Sequence, residues 1–234
     1  MIADRLTAIR QRITAAAQSA GRLPSSVQLV AVSKTFPIEA VREAYDAGQR
    51  LFGENKVQEG LEKISAFNPP DLRWHLIGHL QSNKAKKAAP WFSMIESVDS
   101  ADLLHRIDRG AAEAGATPEV LVQVDLAQEA TKFGARPDDA RAILDAAASC
   151  TAARVVGLMT IPPACENPED ARPWFRQLRE LRDRWMGEGV PAAMLRELSM
   201  GMSADFEVAI QEGATIVRVG TAIFGGRTYP APPA

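Results

Sequence analysis

VQLVAVSKTFPIEAVREAYDAGQRLFGEN, residues 27–55, holds two apolar runs separated by a helical segment. The β-branched run VQLVAVS (27–33), the segment PIEAVREAYDAG (37–48) and a second run QRLFGEN (49–55) make one β-α-β unit, the repeat of a parallel sheet. The same rhythm continues along the chain. Further strands are expected at LRWHLIGH (72–79), FSMIESV (92–98), EVLVQVD (119–125), RVVGLMTI (154–161), LRELSM (195–200) and TIVRVG (215–220), with helical segments between them. The pattern is thinnest at the third helix, NKAKKAAPW (83–91), and at the seventh strand. Eight strands with seven intervening helices is the count of a (β/α)8 TIM barrel, so the expectation is an α/β fold in a single domain over 1–234. A doubly wound open sheet competes with it. That architecture would carry a GxGxxG or GxxxxGK[ST] loop to bind a nucleotide, and neither occurs.

Outside the repeat lie an N-terminal helix over 1–21 and a proline-rich tail over 228–234. Ile2, Leu6, Ile9 and Ile13 fall at helical spacing and Gly21 closes the pattern, which favours a helix docked on the domain over an arginine-bearing transit peptide. Twenty-seven Lys and Arg against 29 Asp and Glu leave a net charge of −2, with no general pull toward nucleic acid or an anionic membrane. Cys150 and Cys165 form no CxxC pair, and there is no bilayer-length apolar run and no signal-peptide core. A cytoplasmic, monomeric chain is expected.

In such a barrel the chemistry comes from the C-terminal ends of strands, with phosphates bound after strands seven and eight. Those ends carry Lys34, Asn55, His79, Met159 and Thr160, then SMGMSAD (199–205) and RVGTAIFGG (218–226). Lys34 closes an apolar strand. It is either an amine whose pKa burial lowers, able to attack an aldehyde, or a lysine snorkelling to water. Ser203 suits an N-cap of the helix that follows, and Gly201 lets backbone approach an anion held at that helix start. Arg218 lies among branched apolar residues and needs an acceptor, either a ligand or an internal carboxylate such as Glu197. Gly220 and Thr221 offer amides and a hydroxyl to a phosphate. Taken together these residues call for an aldehyde, a phosphate and an acceptor for arginine in one molecule, which pyridoxal 5′-phosphate supplies.

The blocks VAVSKTFP, RLFGENKVQE, RWHLIGHLQSNK and LSMGMSADFEVAIQEGATIVRVGTAIFG also resemble the pyridoxal phosphate homeostasis protein family, over nearly the whole chain. The resemblance implies a barrel similar to the N-terminal domain of alanine racemase. It implies Lys34 as the residue forming the covalent aldimine, Ser203, Gly220 and Thr221 around the phosphate, Arg218 against the pyridine nitrogen, and Asn55 near the ring. An arginine there keeps its proton, leaves the ring nitrogen unprotonated and weakens the ring as an electron sink. The racemases use a tyrosine from a second domain as their other base; here Tyr45 and Tyr229 are the only tyrosines, in the first barrel helix and in the tail. The expected function is therefore to bind the cofactor reversibly for intracellular vitamin B6 homeostasis and to deliver it to apo-enzymes, without an enzymatic role. The alternative is an amino-acid racemase or decarboxylase. His75 and His79, four apart, lack the glutamate of a HExxH metal site. Lys132 is a rival for the covalent role in more polar surroundings, and Lys84, Lys86 and Lys87 read as a solvated helix face.

Overall fold

Strand β1 (Gln28–Val32) pairs in parallel with β2 (Leu51–Glu54) on one side and with β8 (Ile216–Val219) on the other. Between β2 and β8 run β3 (Arg73–Leu76), β4 (Met94–Val98), β5 (Glu119–Gln123), β6 (Arg154–Met159) and β7 (Glu197–Ser199), each parallel to its neighbours. The computed structural model, which describes residues 1–127 and 133–226, is thus a closed eight-stranded barrel, the (β/α)8 fold expected. Lys132, Tyr229 and the tail over 228–234 lie outside the described residues.

The two-residue alternation of a strand sorts side chains between two cores. Val30, Val32, Leu51, Ile77, Met94, Leu121 and Ile216 fill the barrel interior. Ala31, Phe52, Leu76, Ile95 and Val217 point outward beneath the helices. Lys34 continues the parity of Val30 and Val32 and so stands at the top of the interior, while Ser33 continues the outward parity of Ala31.

The helical layer comprises α1 (Ile2–Ser19), α2 (Ile38–Asp46), α3 (Val57–Ala66), α4 (Ala85–Ala88), α5 (Ala101–Ala114), α6 (Pro137–Ala146), α7 (Arg172–Gly187), α8 (Phe206–Gln211) and α9 (Thr221–Phe224). The two thin places in the sequence pattern are short elements in the structure. Helix α4 is a single turn halted before Pro90, and β7 has three residues because Gly201, at φ +92°, turns the chain away just beyond it.

The N-terminal helix is part of the wall. Helix α1 packs between α2 and α8 and against α9, burying Leu6, Ile9 and Ile13 together with Ala16 and Ala17. It ends in a Schellman motif, with Arg22 N–H donating to Ala17 O at 2.9 Å and Gly21 N–H to Gln18 O at 3.0 Å while Gly21 sits at φ +67°. Among the described residues no helix is long and apolar enough to cross a membrane.

Strands β6 and β7 approach so closely that only glycine fits at 157, where an added Cβ would lie 2.1 Å from the carbonyl oxygen of Glu197. That atom is backbone in a paired strand and cannot move aside cheaply. Gly157→Ala is expected to cost at least about 2 kcal/mol in urea unfolding, from the strain of overpacking; an unchanged midpoint would contradict this packing.

Candidate functional site

The mouth at the C-terminal ends of the strands holds a cavity of about 300 Å³ lined by Lys34, Asn55, Ser203, Arg218, Gly220 and Thr221. All six residues singled out in the sequence meet there, on walls of Val32, Phe36, Ile77, Ile161 and Met202. The volume is at the small end of the range for cofactor and metabolite pockets.

Arg218 enters from the barrel interior, 4% exposed. Its Nη1 donates to Ser199 Oγ at 2.5 Å and its Nη2 to the carbonyl of Thr160 at 3.0 Å. Ser199 Oγ in turn donates to Glu96 Oε2 at 2.5 Å, and the other carboxylate oxygen lies 2.6 Å from His75 Nδ1. The guanidinium and the Glu96 carboxylate are themselves 3.7 Å apart. Burial works against ionisation of Glu96, but the bonds and charges of His75, Arg218 and Ser199 outweigh it and hold the carboxyl below its ordinary range. Burial likewise pulls the Arg218 guanidinium down, against the opposing pull of Glu96 and Asp205. An arginine so tied keeps its charge and one orientation.

Of the partners open to Arg218, the internal carboxylate is Glu96 and not Glu197. Ser199 pairs with Ile216, which leaves Glu197 below and Arg218 above that level, separated by four residues, or about 13 Å along the strands. Glu197 instead accepts from Thr215 Oγ1 at 2.6 Å and from Arg196 at 3.2 Å. Glu96 was legible only as an acid in the apolar run FSMIESV; nothing local in the sequence points it at residue 218.

Ser203 also differs from expectation. It does not cap α8, whose first turn follows Asp205; its hydroxyl accepts from the amides of Gly220 at 3.2 Å and Ala222 at 3.4 Å. The loops after β7 and β8 therefore meet through one oxygen, at amides that an anionic oxygen would also accept from. Asp205 accepts instead from Met202 N–H at 2.6 Å, closing the turn that presents Ser203. Gly201 is required where it stands, because a Cβ would come within 2.5 Å of Ala209 Cβ.

Lys34 is half-buried at the cavity wall, and its neighbour Thr35 adopts φ +68°. For a β-branched residue that is strain of about 1–3 kcal/mol, which the surroundings must offset. Asn55 is set by a glycine, since a Cβ on Gly78 would lie 2.3 Å from its carbonyl oxygen. His75 and His79 do not converge. His75 belongs to the interior cluster, whereas His79 stacks on Phe133 with centroids 3.7 Å apart and lies 3.6 Å from Asp99. Among the described residues no three His, Cys, Asp or Glu side chains gather as a metal site. Tyr45 is remote, its hydroxyl donating to Asp71 at 2.6 Å and its ring under Arg50 at the opening of β2. Lys84, Lys86 and Lys87 are exposed; Lys86 pairs with Glu113 and Lys87 donates to Gln58.

Residues 5–228 match the family model described as alanine racemase, N-terminal domain. The chain is 46% identical to the pyridoxal phosphate homeostasis protein of Aquifex aeolicus, over 97% of this chain and 98% of that one. The structure of PipY from Synechococcus elongatus PCC7942 with PLP bound superposes with a TM-score of 0.84 at 44% identity, covering 96% of this chain and all of PipY. An alanine racemase of Clostridium difficile shares the fold alone, with a TM-score of 0.71 at 16% identity, and this chain covers 58% of it.

The Glu96 cluster sets a pH dependence. A carboxyl whose folded pKa lies below its ordinary value adds stability that is complete above that value, near 4.3, and is lost as pH falls through the folded pKa. Glu96→Gln leaves the buried guanidinium without its counter-charge and is expected to cost about 3–5 kcal/mol at pH 7. The gap from wild type in urea unfolding should narrow as pH falls from the ordinary carboxyl range through the lowered folded pKa of Glu96, where that side chain becomes neutral. A gap that holds constant into acid contradicts the assignment.

Proposed function

The chain belongs to the pyridoxal phosphate homeostasis protein family, and on that premise we propose that it binds pyridoxal 5′-phosphate at the mouth of its barrel as a reserve for vitamin B6 homeostasis. The observation that carries this reading is the meeting in one cavity of an amine, a fixed guanidinium and a double-loop amide cradle. That donor set fits the cofactor. Lys34 would take the aldehyde, Arg218 the pyridine nitrogen, and Ser203, Gly220 and Thr221 the phosphate, with Asn55 beside the ring. When bound, the cofactor supplies an aldehyde that condenses reversibly with a primary amine.

The remaining work falls to the chain's own residues. Glu96 and Ser199 keep Arg218 charged and aimed, so it would donate a hydrogen bond to a ring nitrogen without protonating it. A ring held that way is a weak electron sink for carbanion chemistry. Racemisation in such a site needs a second base, and Tyr45 lies at the opposite end of the barrel wall. These features favour holding over turnover, and release to apo-enzymes is the use we propose for a reversible linkage in a cavity open at the strand ends. We infer a single-domain, monomeric, cytoplasmic protein to match that role.

Titration of purified protein with pyridoxal 5′-phosphate is expected to give an absorption band at the edge of the visible that Lys34→Ala abolishes. After borohydride reduction, peptide mapping should find the label on Lys34 and not on Lys132. A colourless wild type, or a label on Lys132, would sink the reading; steady turnover of an amino acid would sink its non-enzymatic part.

A further inference from the structure

Behind Lys34, on the outer side of the barrel, lies a second buried charge cluster that touches none of the cavity. Lys63 of α3 is 7% exposed, and its ammonium donates to three acceptors: Ser33 O at 2.8 Å, Glu54 Oε1 at 2.7 Å and Glu59 Oε1 at 2.8 Å. Ser33 Oγ donates to the same Glu54 oxygen at 2.7 Å, and Thr35 N–H donates to Glu59 Oε1 at 2.5 Å. The cluster therefore grips the chain on both sides of Lys34, at the carbonyl and hydroxyl of the residue before it and at the amide of the residue after it.

Stability alone does not account for this arrangement. Ion pairs taken out of water are often no better than apolar residues of the same volume. Here the satisfaction is also incomplete, because Glu54 is fully buried and its Oε2 has no hydrogen-bond partner. What the cluster does hold is a conformation the chain resists, since Thr35 is the only non-glycine among the described residues with positive φ. That residue follows Lys34 directly, and Phe36 N–H donates back to Ser33 O at 3.0 Å to close the turn.

We propose that Lys63, acting with Glu59, is a positioning residue for Lys34: it locks the strained turn so that the lysine amine enters the cavity from one direction. The inference rests on the reading that Lys34 carries the cofactor. Condensation requires the neutral Nζ to add to the aldehyde carbon; the two amine protons then leave with the former carbonyl oxygen as water, and a C=N bond remains. Addition needs the amine at bonding distance and angle, so a loosened turn lowers the rate of linkage. Noncovalent capture of the phosphate and ring depends on residues 203 and 218–221 and should be indifferent to it.

The test compares Lys63→Met, the charge-neutral pair Lys63→Met/Glu54→Gln, and Glu59→Ala, which frees Thr35 N–H should the Lys63 variants fail to fold. Each is titrated with pyridoxal 5′-phosphate and with pyridoxine 5′-phosphate, whose alcohol cannot condense. A remote core variant, Leu104→Ala, controls for lost stability. The expected result is a fall of tenfold or more in the rate or extent of band formation, with pyridoxine 5′-phosphate affinity within twofold of wild type and the remote variant unaffected. Linkage at the wild-type rate in the folded variants overturns the inference, and so does an equal fall for both ligands, which marks general damage. A colourless wild type removes the underlying reading, and this inference with it; a coloured wild type matched by its Lys63 variants removes the inference alone.

Discussion

The structure depends on the closing of the sheet between its first and last strands. Val30 of β1 stands opposite Arg218 of β8, and Ala31 opposite Val219. That register brings the end of β1 beside the end of β8, so Lys34 and the Arg218–Thr221 segment share one cavity although they come from opposite ends of the chain. Parallel closure also leaves each strand end free of a hairpin, which is why several loops can contribute to one mouth. Helix α1 seals the seam from outside by packing between α2 and α8.

Two buried charge clusters flank that seam, and they divide the labour. The inner one runs from His75 through Glu96 and Ser199 to Arg218 and fixes a cation beneath the cavity. The outer one joins Ser33, Glu54, Lys63, Glu59 and Thr35 and fixes the backbone around Lys34. Buried charge is an expensive way to hold a barrel together, and most of the side chains that fill both cores are apolar. Their placement on the two sides of one cavity relates them to what it binds.

Periodicity made the architecture legible in the sequence. All eight strands form where the alternation of short apolar runs and helical segments places them, and the apolar stripe Leu6, Ile9 and Ile13 gives α1 its buried face. The cavity residues were legible because a barrel gathers strand ends at one face. The side-chain partners were not. Arg218 finds Glu96 across the interior and not the nearer-seeming Glu197, since strand register decides which residues share a level. Ser203 turns to the amides of Gly220 and Ala222 because the β7 and β8 loops meet, a contact that no local capping rule contains. Lys63 gave no signal, being one lysine in a helical run, and its partners lie in the turn after β1, on β2 and on α3 itself.

Lys34 and the Ser203–Gly220 cradle are proposed to act on the same molecule. A crystal structure of the chain with pyridoxal 5′-phosphate tests it most directly. The expected result is electron density continuous with Lys34 Nζ, ending in a phosphate against Ser203, Gly220 and Thr221, with Arg218 at the ring nitrogen. Density joined to another lysine, or a phosphate bound away from those two loops, would contradict it.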